Sequence, residues 1–478
     1  MGEDGIEPKG SDGEFSPMSK RFHIVTTGCQ MNVLDSELAA ALLISRGYER
    51  TADQKKADVI LFNTCSVREH AEEKIYSALG RLKHWKSHHP NGVLGVFGCM
   101  AQKDQWIIFR RAPHVDVVVG PGQLDRLPDL VEAASMGEGP QMAVSINRFA
   151  KREKALAVRE SFHQYDPIRL PETRPALFQA MVRIMFGCDR FCSYCIVPSV
   201  RGPEQSRPAS DILEEVRTLA DQGCVEVTLL GQSVNLYQFN EGGKMVHLAD
   251  LLERINEVPG IRRVRFVSNY PTGMTDALLQ AVRDLPTAVP YLHVPAQHGA
   301  DSVLKRMNRH YTAAEYRDLT ARIYEAIPGA AITSDFIVGF CGETEDEFQE
   351  TVRLVRETKF KNSFIFKYSE RSGTRSAELF EDDVPDEVKR RRNNELLAVQ
   401  NEVCTEAHRS LIGSSVEILV DGRGTKPGQL SGRTPCDRIV VFDGPDGLIG
   451  SFQMMEIVGS TPFTLFGKIK QKDGERKG

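Results

Sequence analysis

The chain has 478 residues, 41% hydrophobic and 26% charged, with a formal net charge of −5, so it accommodates two to four domains with cores of their own. No apolar run approaches the eighteen residues of a membrane helix, and the N-terminus lacks the apolar stretch of a signal peptide. Ten cysteines in what reads as a cytoplasmic, non-membrane protein point to metal binding or catalysis and away from a disulfide framework.

Residues 1–19, Gly-rich and acidic, read as a disordered tail. From residue 20 to 140, short apolar runs alternate with helical stretches. "RFHIVTTGC", "ADVILFNTC", "GVLGVFGC" and "VDVVVGP" are strand-like, and a helix is expected to start at Asp35 or Ser36. The alternation predicts an open parallel α/β domain. Residues 141–175 have mixed charge, prolines and little periodicity, and read as a linker or strap. Six strand–helix units then run over 176–411. They are too few for an eight-stranded barrel and predict a partial barrel with its reactive site at the C-terminal strand ends. The last of its helices covers about 386–411. From 412 to 478 the pattern is one of short alternating runs between Gly and Pro turns, expected to form a small antiparallel β module.

Two groups of cysteines stand out. "GCDRFCSYC" places Cys188, Cys192 and Cys195 on one loop after the first strand of the six-unit array. Three thiolates can hold three irons of a four-iron cluster, leaving one iron free for a small molecule. A structural zinc knuckle is the plainer alternative, but zinc normally takes four ligands in a closed site. Cys29, Cys65 and Cys99 lie 36 and 34 residues apart, each at the end of a predicted strand. Parallel strands bring such ends to one sheet edge, where open α/β folds bind ligands. Convergence on a second cluster is the sharper expectation, and chance placement of core cysteines is the rival. Gly28 and Gly98 would let backbone approach that cluster closely. Cys224, Cys341, Cys404 and Cys436 read as packing residues.

The Cys-x3-Cys-x2-Cys spacing, with Tyr194 before the last thiol, resembles the signature of radical S-adenosylmethionine enzymes. The order of parts from residue 20 onward resembles the methylthiotransferase family, whose C-terminal β module, TRAM, binds RNA. "GCQMNVLDSE", "NTCSVREHAEEK" and "LSGRT" resemble the branch acting on prenylated adenosine in tRNA. The resemblance implies two 4Fe-4S clusters, held by the two cysteine triplets, with S-adenosyl-L-methionine as cofactor. It implies methylthiolation at carbon 2 of N6-isopentenyladenosine at position 37, next to the anticodon. A reducing electron donor is required, the sulfur donor is left open, and a monomer is the expected state. Gly231, Gln232 and Asn235, after the second barrel strand, would face the methionine part of the cofactor, and Tyr194 its adenine. An ordinary strand-end turn and a packing aromatic are the competing readings. His298 and Cys341 stand where the family usually has Ser and Pro, and His298 is either a substrate contact or a tolerated variant.

RNA requires basic surface. The candidates are 304–311, 388–394, the tail from Lys468 onward, and Arg433 in "LSGRT". Two other functions stay open. One is a relative acting on a ribosomal protein or on threonylcarbamoyladenosine. The other is a non-catalytic iron–sulfur RNA-binding protein.

Overall fold

The computed structural model describes residues 19–65, 69–144, 166 and 169–470. β1 (Arg21–Thr27), β2 (Glu49–Arg50), β3 (Val59–Thr64), β4 (Val93–Gly98), β5 (Val117–Val119) and β6 (Gln141–Ala143) form one parallel sheet in the order β2-β1-β3-β4-β5-β6. Every residue of β3 and β4 is buried. Helices cover both faces, so these strands read as continuous apolar runs with no alternation. Leu34, Leu38, Val59 and Leu61 pack on one side, and Ile60, Phe62, Leu94 and Val96 on the other.

Two boundaries differ from expectation. The first helix spans Gln30–Ser45, starting five residues before Asp35, because Cys29 is its N-cap residue. β6 pairs with β5 inside the stretch expected to be a linker; three residues on a sheet edge carry no periodic signal. Residues 145–165 and 167–168 of that stretch lie outside the described residues, as do residues 1–18 of the expected tail. Its far end is packed, with Asp166, Arg169, Thr173 and Arg174 all buried.

The next unit contains β7 (Gln179–Arg183), then β8 (Met185–Phe186) paired with β9 (Gln205–Ser206), then β10 (Glu226–Leu230). A hairpin of β11 (Gln238–Glu241) and β12 (Lys244–His247) follows, then β13 (Arg263–Phe266), β14 (Tyr291–His293), β15 (Ala331–Val338) and β16 (Asn362–Lys367). β7, β10 and β13 form one parallel set and β14, β15 and β16 another. Val289 donates to the Val264 carbonyl and Asn269 to that of His293, joining the sets into a six-stranded partial barrel. Val227, Leu229, Val264, Phe266, Ile332 and Phe336 belong to one large apolar core with the surrounding helices. The helix Asp386–Arg409 packs across β16.

β17 (Ser415–Arg423), β18 (Gln429–Arg433), β19 (Ile439–Asp443), β20 (Phe452–Ser460) and β21 (Leu465–Ile469) close into a small barrel. Four of its five pairings are antiparallel, and β19–β21 is parallel. It is fastened to β13. Arg263 donates to the Arg433 carbonyl at 2.8 Å, and Arg265 to the carbonyls of Thr434 and Pro435 at 3.0 and 3.1 Å. Among the described residues no helix is long and apolar enough to cross a membrane.

Candidate metal centres and active site

Cys29, Cys65 and Cys99 do come together at the C-terminal edge of the first sheet. Cys29 caps the helix Gln30–Ser45, Cys65 follows β3, and Cys99 opens the helix Cys99–Asp104 after β4. Buried amides fix this arrangement. The Asn32 Nδ2 donates to Asn63 Oδ1 at 2.9 Å, and Asn63 Nδ2 to the Asn32 carbonyl at 2.7 Å. Asn32 Oδ1 accepts from both the backbone and the thiol of Cys29 at 3.3 Å. The two glycines serve this clasp. A Cβ on Gly28, at φ +152°, would sit 2.5 Å from Asn32 Oδ1, and one on Gly98, at φ +93°, would collide with Asn63. Replacing Asn63 with Leu strands the Asn32 amide, and we expect a loss of about 2–3 kcal/mol in urea unfolding, together with weaker iron retention at Cys29, Cys65 and Cys99.

The Cys188–Cys195 loop follows β8 and is held from the barrel side. Ser193 donates through its backbone to the Met307 carbonyl and through its hydroxyl to that of Arg306, and Asn308 Nδ2 donates to the Phe191 carbonyl. Arg309 is 9% exposed. It donates from Nη1 to Cys192 Sγ at 3.2 Å and from Nη2 to the Pro295 carbonyl, and lies 4.6 Å over the Tyr270 ring. Burial pushes Cys188 up to about 11 and Cys195 up to about 12. At Cys29 a hydrogen bond from Cys65 outweighs burial and, with the charge of Arg201, holds the thiol down at about 6.

The two triplets adjoin. Cys99 packs against Ile196 and Val200, which follow Cys195 directly, and the helix Cys99–Asp104 lies on the helix Val197–Arg201. Beneath them runs a buried ionic network. Asp35 pairs with Arg183 at 3.0 Å and with Arg201 at 2.8 Å, and Arg183 also pairs with Asp166. Arg207 pairs with Glu215 at 2.7 Å, and Arg169 with Glu37 at 3.1 Å. No three His, Cys, Asp or Glu side chains among the described residues converge as a single-ion site. Cluster ligation, in which each thiolate takes its own iron, fits three thiols beside a buried arginine.

The remaining candidates divide. Ser233 approaches Cys188, so the loop after β10 does reach the cysteine site. Gly231 abuts Met185, where a Cβ would clash, and Gln232 is half-buried. Asn235 commits both ends of its amide to the Tyr270 backbone, at 2.7 and 2.8 Å, and so clasps two strand-end loops together. Tyr194 packs edge-on to Phe340, in a cluster with Cys341 and Tyr368. His298 is 1% exposed; its Nε2 lies 3.1 Å from Glu343, and its Nδ1 accepts from the Ala300 backbone. It is a core residue and faces no open site.

The basic runs are largely spoken for. Lys389 pairs with Asp382, Arg390 with Asp386, Arg391 and Arg392 with Glu345, and Arg306 with Glu347. Arg433 lies between Asp421 and Asp437. The tail beyond Lys470 lies outside the described residues. Sequence reasoning missed Arg201, Asn32 and Ser233, which only their closeness in sequence to cysteine motifs or strand ends could have flagged, and it took Arg309 as part of the basic run 304–311.

Comparison with known proteins gives three matches along the chain. They are the "Uncharacterized protein family UPF0004" over residues 21–120, the radical SAM superfamily over 182–355 and the TRAM domain over 409–470. A tRNA-2-methylthio-N(6)-dimethylallyladenosine synthase from Rhodopirellula baltica is 52% identical over 462 residues, 95% of this chain and 96% of the relative. The chain belongs to this synthase family. Another member of the synthase family, from Delftia acidovorans, is 44% identical, covering 95% of this chain and 99% of its own. Among solved structures, the radical S-adenosylmethionine methyltransferase TsrM from Kitasatospora setae aligns with TM-score 0.51 and 14% identity, over 87% of this chain and 77% of its own. At that identity the likeness concerns the fold alone. Membership of the synthase family and of the radical SAM superfamily makes the chain a methylthiotransferase that uses S-adenosylmethionine and a 4Fe-4S cluster.

Proposed function

We propose that the chain adds a methylthio group to carbon 2 of N6-isopentenyladenosine next to the anticodon of tRNA, at position 37. Cys188, Cys192 and Cys195 hold the cluster that engages S-adenosylmethionine, and Cys29, Cys65 and Cys99 hold a second, auxiliary 4Fe-4S cluster. The observation that supports this reading is the packing of Cys99 against Ile196 and Val200, on the segment that follows Cys195, in a member of this synthase family. The first cluster with S-adenosylmethionine supplies a 5′-deoxyadenosyl radical, needed because the carbon 2 hydrogen is not acidic.

The protein's own residues position and shield. Arg309 orients Cys192 and offsets thiolate charge, Ser233 steadies Cys188, and Asn235 holds the loop that carries Gly231 and Gln232 against the site. The Asn32–Asn63 clasp holds Cys29 at the edge of the first sheet. The closed β barrel supplies the tRNA contact. The enzyme acts in the cytoplasm as a monomer and draws on an external electron donor.

Prenyl selectivity tests this function. Burying two or three carbons of the isopentenyl group contributes about 2 kcal/mol, roughly thirtyfold in binding. Prenylated tRNA, unprenylated tRNA and small ribosomal subunits are to be assayed side by side with the reconstituted enzyme. The expected result is turnover of prenylated tRNA at least about thirtyfold above the others. Equal turnover of unprenylated tRNA refutes the prenyl requirement, and modification of a ribosomal protein alone assigns the chain to another branch.

A further inference from the structure

Arg201 ends the helix that runs from the third cysteine of the loop into the first domain. It is 4% exposed, and its Nη2 donates to Asp35 Oδ2 at 2.8 Å. The other oxygen of Asp35 already accepts from Arg183 at 3.0 Å, so that carboxylate is satisfied from two sides. The Nη1 of Arg201 is buried and makes no hydrogen bond that meets the geometry among the described residues, while the guanidinium lies close to the Cys99 thiol. A charged donor left without an acceptor in such a place is costly and uncommon.

The groups around that donor say what it lacks. Arg201 reaches Asp35 on the helix that Cys29 caps, and its own helix lies against the helix that Cys99 opens. Val200 and Ile196, on the same short segment, pack against Cys99 and fix the approach. The only negative charge that Asp35 offers is shared with Arg183, so a cluster carried by three thiolates would bring both the missing acceptor and the missing anion.

We propose that Arg201 is a positioning residue of the auxiliary site, donating from Nη1 to a sulfur of the cluster held by Cys29, Cys65 and Cys99 and thereby setting its reduction potential. The inference rests on the two-cluster reading given above. Hydrogen bonds to cluster sulfurs and nearby charge are among the quantities that tune such potentials. A cationic donor stabilises the reduced, more negative cluster, so its removal lowers the potential.

The test uses the full-length chain with Cys188, Cys192 and Cys195 changed to alanine, so that only the auxiliary set can hold iron. After anaerobic reconstitution, the cluster is titrated with reductant and followed by electron paramagnetic resonance. Arg201→Gln is expected to shift the one-electron equilibrium at least tenfold towards the oxidised form, about 59 mV. Arg201→Lys, which keeps a charged donor, is expected to restore at least half of that shift. An unchanged midpoint in Arg201→Gln, or an Arg201→Lys that titrates with Arg201→Gln, overturns the proposal. Should Arg201→Gln hold no iron, Arg201→Met takes its place: a lowered midpoint supports the proposal, and the parent midpoint overturns it. If the parent with three alanines takes up no iron, the two-cluster reading is what fails.

Discussion

Changing Cys188, Cys192 and Cys195 together to alanine is expected to remove about half of the iron, because each triplet holds one cluster. Reductive cleavage of S-adenosylmethionine to 5′-deoxyadenosine should fall to background. The companion variant, with Cys29, Cys65 and Cys99 changed to alanine, should also lose about half of the iron. It should retain cleavage and form no methylthio product. Iron analysis, chromatography of the nucleoside and mass spectrometry of the tRNA read the three quantities. Full iron in either variant, or zinc in place of iron, would falsify the two-site scheme. So would normal methylthiolation by both variants. The adjoining placement of the triplets makes this a demanding comparison. Cys99 touches Ile196 and Val200, so loss of one cluster must leave the other's loop folded for the halves to separate cleanly.

Arg183→Met is expected to have the largest effect on stability. Arg183 is buried and lies between Asp35 of the first domain and Asp166 of the strap. Breaking a buried ion pair by removing one partner costs about 3–5 kcal/mol, because the other charge stays in the interior. Asp35 keeps Arg201, and Asp166 keeps Arg207 at 3.7 Å, so the lower end, about 3 kcal/mol, is the figure to test by urea unfolding. A cost under about 1 kcal/mol would show that these carboxylates do not depend on Arg183. Converting Arg183 and Asp35 together to apolar residues should cost less than the sum of the single changes, since the pair is then removed as a unit.

The cysteine sites were legible because two kinds of periodicity reveal them. Cys188, Cys192 and Cys195 are close in sequence. Cys29, Cys65 and Cys99 each end an apolar run, and a parallel sheet collects such ends on one edge. What escaped depends on partners distant in sequence. Arg183 and Arg201 meet Asp35 across 148 and 166 residues, and nothing in their own surroundings marks them as buried. Arg309 looked like part of a basic surface run, yet it turns inward to Cys192. The run at 388–394 read only as charge. Its positive charges have carboxylate partners within the helix and on neighbouring elements, information absent from a count of lysines and arginines. Cys29 hid the start of its helix because cysteine is not a residue that signals an N-cap.

The fastening of the C-terminal barrel bears on how this chain can be cut and recombined. Arg263 and Arg265 alternate with Val264 and Phe266 along β13, so they project from the face opposite the helical core. They end on carbonyls of residues 433–435, and Lys361 ends on the Asp437 carbonyl at 2.6 Å. Those three cations are built for a carbonyl lid supplied by another part of the chain. Truncation before Ser415 would remove these carbonyls and Glu417 at once, leaving Arg263 and Arg265 with Glu226 as their carboxylate neighbour. The C-terminal barrel therefore cannot be exchanged as a free cassette. A graft from another protein would have to bring the same turn, with its carbonyls aimed the same way, or the recipient would have to give up its arginines.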